Sequence, residues 1–254
     1  MATPAPEYVT SPQFERMPWL VHGFGTAKLK EEDFASAPVL RDFRLVIMRQ
    51  VHSDVIYNLD SPPVSKLSGD GLTTSVPGLL LVVRTADCLP VLLVDEQRRA
   101  VAAVHCGWRG TRKRILEKAV HAMSQAYGSK SGELLAALGP CIGPACYEVG
   151  PEVREEFERT GFPESIFTPF PYPSKKEPER KKAGKKALTT GDSNAEKWLL
   201  DLRGANVWLL EGAGVKIANI WNVESCTHCD PALLSYRRNK GEPHRLYNFI
   251  GLRP

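Results

Sequence analysis

Three strand-like apolar runs in this 254-residue chain each lead into a side chain able to do chemistry, and that pattern ties the fold to the site. Residues 44–48 (RLVIM) run into Arg49-Gln50-Val51-His52, and residues 79–84 (LLLVVR) run into Thr85-Ala86-Asp87-Cys88. After Pro90, a short run at 91–94, a polar connection at 95–99 and a partner run at 100–104 read as a strand pair ending at His105. Short runs rich in Val, Ile and Leu, bounded by turn residues, are strand signals. Strands of one sheet can bring His52, Cys88 and His105 together although 36 and 17 residues separate them.

Helical periodicity follows. Thr111 is a suitable N-cap for Ile115, Leu116, Ala119, Val120, Met123 and Tyr127, and Gly128 stops the run. Pro151 suits the first turn of a helix over 152–159. An amphipathic stretch over 193–211 would bury Trp198, Leu199, Leu202, Val207 and Leu210, with Gly204 weakening its middle, and 216–223 is a late strand. Strands early and late with helices between them predict an α+β domain with layered, mixed sheets. One domain over residues 1–254 is expected, with 1–20 as an N-terminal extension and 173–190 as a basic insertion.

Charge sharpens this reading. Residues 175–186 (KKEPERKKAGKK) hold seven basic and two acidic side chains, more than the whole net charge of +4. The body of the protein is therefore near neutral and has no electrostatic reason to bind nucleic acid. With Pro169, Pro171, Pro173 and Pro178 nearby, the basic segment reads as a solvated loop. No apolar run approaches the roughly 20 residues that span a bilayer, and residues 1–10 lack a basic start and an apolar core. A cytoplasmic protein without a membrane partner is expected, and six cysteines then read as free thiols or metal ligands. A monomer or a dimer is expected.

Two imidazoles and one thiolate suit Zn²⁺, and three protein ligands leave a fourth position for water, the mark of a catalytic zinc. The same trio also fits a thiol enzyme, with Cys88 as nucleophile, His105 or His52 as base and Asp87 as orienting group. Gly107-Trp108-Arg109-Gly110 follows directly, offering close backbone approach, a stacking face and a guanidinium fork. A helix opening at Thr111 would aim amide donors at the same place. Residues 139–148 (GPCIGPACYE) form a rigid loop suited to a pocket wall. Cys226-Thr227-His228-Cys229 is a C-x-x-C that, with Cys141 and Cys146, could build a second zinc site or a redox dithiol. Tyr236-Arg237-Arg238 fits either a pocket rim or a solvated helix end.

Several of these segments, in order, resemble the YfiH/YlmD family: Gln50-Val51-His52, Asp70-Gly71-Leu72-Thr73, Thr85-Ala86-Asp87-Cys88-Leu89-Pro90 and His105-Cys106-Gly107-Trp108-Arg109-Gly110. Gly139-Pro140, Cys146-Tyr147-Glu148-Val149, Glu224-Ser225-Cys226-Thr227 and Ser235-Tyr236-Arg237-Arg238 continue the series. That family has carried the label laccase-like multicopper polyphenol oxidase, and its members are now described as purine nucleoside phosphorylases. The resemblance implies a layered α/β/β/α fold and a zinc held by His52, Cys88 and His105, the catalytic trio. It also implies phosphorolysis of adenosine, inosine, guanosine and 5′-methylthioadenosine, adenosine deamination and, for some members, peptidoglycan-precursor editing. Zn²⁺ is the expected cofactor ahead of copper, and purine nucleosides and phosphate are the expected partners. Arg49, Asp87, Trp108, Arg109 and Tyr147 are the expected substrate-binding residues. One departure stands out: in His22-Gly23-Phe24-Gly25-Thr26-Ala27-Lys28, Ala27 occupies the position of a family arginine, whose task would pass to Arg49 or Arg109.

Overall fold

The computed structural model describes residues 7–37, 40–171 and 196–254, so the basic 175–186 segment lies outside the described residues. Two large sheets lie face to face. One holds five strands in the order Tyr8–Val9, Leu20–Gly25, Leu246–Leu252, Leu79–Thr85, Arg44–Ile47. The other holds six, ordered Ile220–Asn222, Leu135–Leu138, Leu89–Asp95, Ala100–Cys106, Gly71–Thr74, Ile56–Leu59. Both are mixed: Arg44–Ile47 runs parallel to Leu79–Thr85, and Ile56–Leu59 parallel to Gly71–Thr74, among antiparallel neighbours. A three-stranded sheet of Glu148–Val149, Trp198–Leu200 and Phe167–Pro169 flanks them.

The apolar runs are continuous because both faces of these strands are covered, and alternate residues serve different layers. Leu79, Leu81 and Val83 meet Leu92, Val94, Val101 and Ala103 between the two sheets. Leu80 and Val82 turn outward against Phe34, Leu40 and Phe43, around the short helix Asp33–Ser36. On the far side of the other sheet, Val91, Leu93, Ala102 and Val104 pack under the helices Ile115–Tyr127 and Leu202–Gly212. Three apolar clusters thus join four layers, in the expected α/β/β/α order. Among the described residues no helix is long and apolar enough to cross a membrane.

Several boundaries differ from the sequence expectation. The helix expected to open at Thr111 is two helices: Trp108–Arg112, begun at Gly107, and Ile115–Tyr127, separated by Arg114 in the left-handed region at φ 62°. Thr111 is buried inside the first and accepts a 3.0 Å hydrogen bond from the Asn206 side-chain amide, so it is a packing residue and not a cap. The stretch expected to be helical over 193–211 contains the strand Trp198–Leu200, and the helix begins only at Leu202. Asp201 caps it by accepting from the Gly204 amide at 2.8 Å, which places Gly204 in the first turn, where a Cβ would lie 2.6 Å from the Asp201 carboxylate. Of the late strand at 216–223 only Ile220–Asn222 forms. The strands Leu20–Gly25 and Leu246–Leu252, central to the five-stranded sheet, escape the sequence reading.

The expected N-terminal extension is built into the fold from residue 7 onward. Tyr8–Val9 pairs with Leu20–Gly25, and Phe14 and Met17 lie in the core between the sheets. His22 is likewise structural: its Nε2 accepts the Ser11 amide at 2.8 Å, and burial lowers its pKa to about 4, so it stays neutral. Because Phe14 is fully buried, Phe14→Ala is expected to cost about 3–5 kcal/mol. Denaturant unfolding checks this; a cost below about 1 kcal/mol would make residues 7–20 dispensable.

Candidate active site

The site forms where the two sheets hand the chain to one another. Leu79–Thr85 belongs to one sheet and Leu89–Asp95 to the other, so Cys88 sits on the crossing between them. Pairing of Leu89 with Cys106 and of Pro90 with His105 then sets His105 beside that crossing. His105 has the strand parity of Val101 and Ala103, while Cys106 alternates into the cluster under the helices. His52 comes from the loop after Arg44–Ile47 and adopts the left-handed region at φ 56°, uncommon for a residue with a Cβ.

Asp70 holds this loop and His105 together. Its carboxylate is fully buried and accepts from the amides of Val51, His52 and Ser53 at 3.3, 3.1 and 2.5 Å. The Ser53 hydroxyl adds 2.6 Å and His105 Nδ1 2.8 Å, while the Asp70 carbonyl accepts the His105 amide at 2.7 Å. Burial alone would raise the Asp70 pKa, but these donors outweigh it and hold the group at about 2. With Nδ1 committed to Asp70, the other ring nitrogen of His105 is left for a ligand.

The donor atoms of His52, Cys88 and His105 all lie within 4.8 Å of one another, with Cys88 Sγ 4.0 Å from His52 Nε2. Burial would keep Cys88 a thiol, yet the charge of His105 and hydrogen bonds from both histidines lower it to about 6. Burial likewise opposes charge on His105, but the Cys88 thiolate and Asp70 raise it to about 9. Gly107 leaves the space a metal needs. A Cβ there would sit 3.0 Å from the His52 ring and 3.1 Å from Cys88 Sγ. Two nitrogens, one sulfur, a carboxylate behind one histidine and an open cradle fit a three-ligand zinc position.

A cleft of about 630 Å³ opens above the trio, and Arg49, Asp87, Trp108, Arg109 and Tyr147 all line it. Arg109 stacks on Trp108 with its guanidinium 4.3 Å from the ring centre. Asp87 is a positioning group: at φ 85°, its carboxylate accepts the Thr227 hydroxyl and the Arg237 amide, each at 2.6 Å. Asp70, and not Asp87, is therefore the carboxylate that orients a histidine.

Three further arginines line the cleft: Arg84 and Arg245, which the sequence does not single out, and Arg237, which it leaves ambiguous. Gln50 and Arg84 exchange two 2.8 Å bonds between the Gln50 amide and the Arg84 backbone, and the Arg84 Nε is buried without a partner among the described residues. Arg237 lies 5.6 Å from the Tyr147 ring centre and donates to the Glu148 carbonyl at 2.9 Å. Arg238, beside it, turns away to clamp the carbonyls of Thr227, His228, Asp230 and Leu233. The Tyr236-Arg237-Arg238 ambiguity resolves into two rim residues and one loop clamp.

Comparison with known proteins agrees with this architecture. The family profile described as multi-copper polyphenol oxidoreductase laccase matches residues 29–253. The purine nucleoside phosphorylase YfiH of Shigella flexneri is 33% identical over 208 residues, covering 82% of this chain and 73% of that protein. Adenosine deaminase RL5, from an unknown prokaryotic organism, is 34% identical over 196 residues, 73% of this chain and 66% of its own. The crystal structure of YlmD from Geobacillus stearothermophilus superposes with a TM-score of 0.77 at 25% identity, covering 100% of this chain and 98% of that one. The chain belongs to the YfiH/YlmD family.

Asp70→Asn is expected to weaken metal binding about 10–100-fold, the usual effect of losing a carboxylate behind a ligating histidine. Competition with a chromophoric chelator measures it; unchanged affinity would remove Asp70 from the site. In chelator-stripped protein, alkylation of Cys88 should rise with pH through about 6, and His105→Ala should move that midpoint upward. A wild-type midpoint at the ordinary thiol value near 9 would contradict the geometry.

Proposed function

We propose that the protein is a zinc-dependent purine nucleoside phosphorylase that also deaminates adenosine. The observation that carries this reading is one cleft with a metal-capable His–Cys–His floor, aromatic faces and five arginines around it. Its volume falls within the range of small-molecule sites, about 300–1,000 Å³. The relatives named purine nucleoside phosphorylase and adenosine deaminase support it as well. The localisation consistent with such nucleoside chemistry is the cytoplasm.

His52, Cys88 and His105 would hold the zinc, which when bound supplies Lewis acidity at the cleft floor. Arg109, exposed at the rim and braced on Trp108, is placed to take up phosphate through its planar fork. Arg49, which also lines the cleft, is the second phosphate residue and takes over the task of the arginine absent at Ala27. Trp108 and Tyr147 offer faces for the purine. In phosphorolysis the phosphate oxygen forms a bond to C1′ as the C1′–N9 bond breaks, and the purine leaves with a proton. Deamination consumes water and releases ammonia from C6, without phosphate. Asp70 keeps the His105 ring in one tautomer throughout.

The older copper reading fits the donors poorly. Reduction of oxygen to water normally draws on several coppers with histidine-rich ligation. Of the six histidines, His22 is tied to Ser11 in a buried strand and His244 to Glu242 on the surface. Metal content of the purified protein separates the two: about one zinc at this site, or several coppers.

Zinc-replete protein with adenosine is expected to yield adenine and ribose 1-phosphate when phosphate is present, and inosine when it is absent. Chromatography of the products tests this, and no turnover at any phosphate concentration would overturn the reading. Cys88→Ala should lose metal and both activities, whereas Cys106→Ala, buried under the helices, should keep them. Arg109→Ala should reduce phosphorolysis at low phosphate about 10–100-fold, the worth of a charged hydrogen bond, and spare deamination. Equal loss of both reactions would remove Arg109 from phosphate binding.

A further inference from the structure

A second cluster of thiols lies apart from the cleft floor. Cys146, Cys226 and Cys229 bring their sulfurs within 4.8 Å of one another, with Cys146 and Cys229 only 3.4 Å apart and none in a disulfide. Their two loops are held in register by a parallel bridge between Cys141 and Cys226, and by the Thr227 amide on the Cys141 carbonyl at 3.0 Å. Arg238 fixes the turn after Cys226 from its other side through four carbonyls. Gly143 permits the approach: its amide donates to Cys226 Sγ at 3.1 Å, and a Cβ there would come within 3.2 Å of that sulfur.

Thiols are weak donors and weak acceptors, so three sulfurs packed together do not satisfy one another by hydrogen bonding. A thiophilic cation does satisfy them. Zinc–sulfur bonds of about 2.3 Å place tetrahedral sulfurs about 3.8 Å apart, close to the 3.4 Å between Cys146 and Cys229 and inside the 4.8 Å that contains all three sulfurs. Cys141 is not a member. Its sulfur is fully buried and faces the Arg203 guanidinium at 3.6 Å.

We infer that Cys146, Cys226 and Cys229 form a second zinc site, separate from the His52–Cys88–His105 trio, that clamps the loop carrying Ile142 and Tyr147 of the cleft wall to the Cys226–Cys229 loop. Cys146 precedes Tyr147 on that wall, and Thr227, inside the C-x-x-C, bonds to Asp87 beside Cys88. The inference does not depend on the purine chemistry, because it concerns ligand count and loop closure alone.

The experiment uses the full chain under reducing conditions. Cys88→Ala, which empties the first site, should still retain about one zinc per chain after dialysis, and adding Cys146→Ser and Cys229→Ser should remove it. Titration of Cys88→Ala with Cd²⁺ should give thiolate-to-metal ultraviolet absorption that the triple variant lacks. Should a variant fail to fold, the wild type still decides: zinc should slow alkylation of exposed Cys229 at least tenfold, read by peptide mass spectrometry. Cys88→Ala without zinc or Cd²⁺ absorption, or Cys229 alkylated equally fast with and without zinc, would overturn the second site. So would a Cys146–Cys229 disulfide that persists in reductant and zinc, which would make the pair a redox dithiol.

Discussion

Everything at the cleft floor depends on a single buried carboxylate. Asp70 sits between a loop that must bend and a strand that must not, and it bonds to both. A bare carboxylate in this place would cost several kcal/mol to bury. Three backbone amides, a serine hydroxyl and an imidazole offset that cost and leave the charge in place. The same bonds hold His52 in the left-handed region, a conformation worth about 1–3 kcal/mol of strain in a residue with a side chain. One carboxylate therefore fixes the direction of two of the three metal-capable donors.

The third donor is fixed by a parallel device. Cys88 follows Asp87, also at positive φ, and Asp87 is held by the Thr227 hydroxyl and the Arg237 amide. Of the four non-glycine residues at positive φ among the described residues, His52 and Asp87 belong to the trio or adjoin it, and carboxylate bonds to segments distant in the chain stabilise each of these two. Strain held in place at these two positions is a sign of preorganisation, since the surrounding bonds hold the donors close before any metal arrives.

How much of this is legible in the sequence follows from which contacts are local. The strands at 44–47, 79–85 and 100–106 and the trio at their ends are readable because apolar runs and the residues after them are contiguous. Asp70 shows only as part of a family motif, since its role arises from amides 17–19 residues upstream and a histidine 35 residues downstream. Arg84 and Arg245 go unseen, and Arg237 stays ambiguous, for the same reason: strand register and loop folding carry them to one cleft. The start of the helix Trp108–Arg112 leaves no mark in the sequence because its cap, Gly107, has no side chain to make a capping bond, and Arg114 separates it from Ile115–Tyr127 by a backbone angle that composition does not encode. The helix expected over 193–211 fails on length, since an apolar stripe spanning Trp198 and Leu199 fits a strand followed by a capped turn equally well.

The cleft is strongly cationic. Among the described residues lining it are five arginines and one acid, and that acid, Asp87, is already bonded on both oxygens. Tyr147 and Trp108 brace two of the guanidiniums by their ring faces, which offsets part of the mutual repulsion without neutralising any charge. Such a wall raises the local concentration of anions and favours whichever ligand brings negative charge to the rim. A divalent ion on the trio would extend that positive field to the floor, except that Cys88, lowered to about 6, contributes a thiolate there. One thiolate offsets only half of a divalent charge, so the floor would stay positive as well as the rim, and the cavity favours an anion throughout its depth.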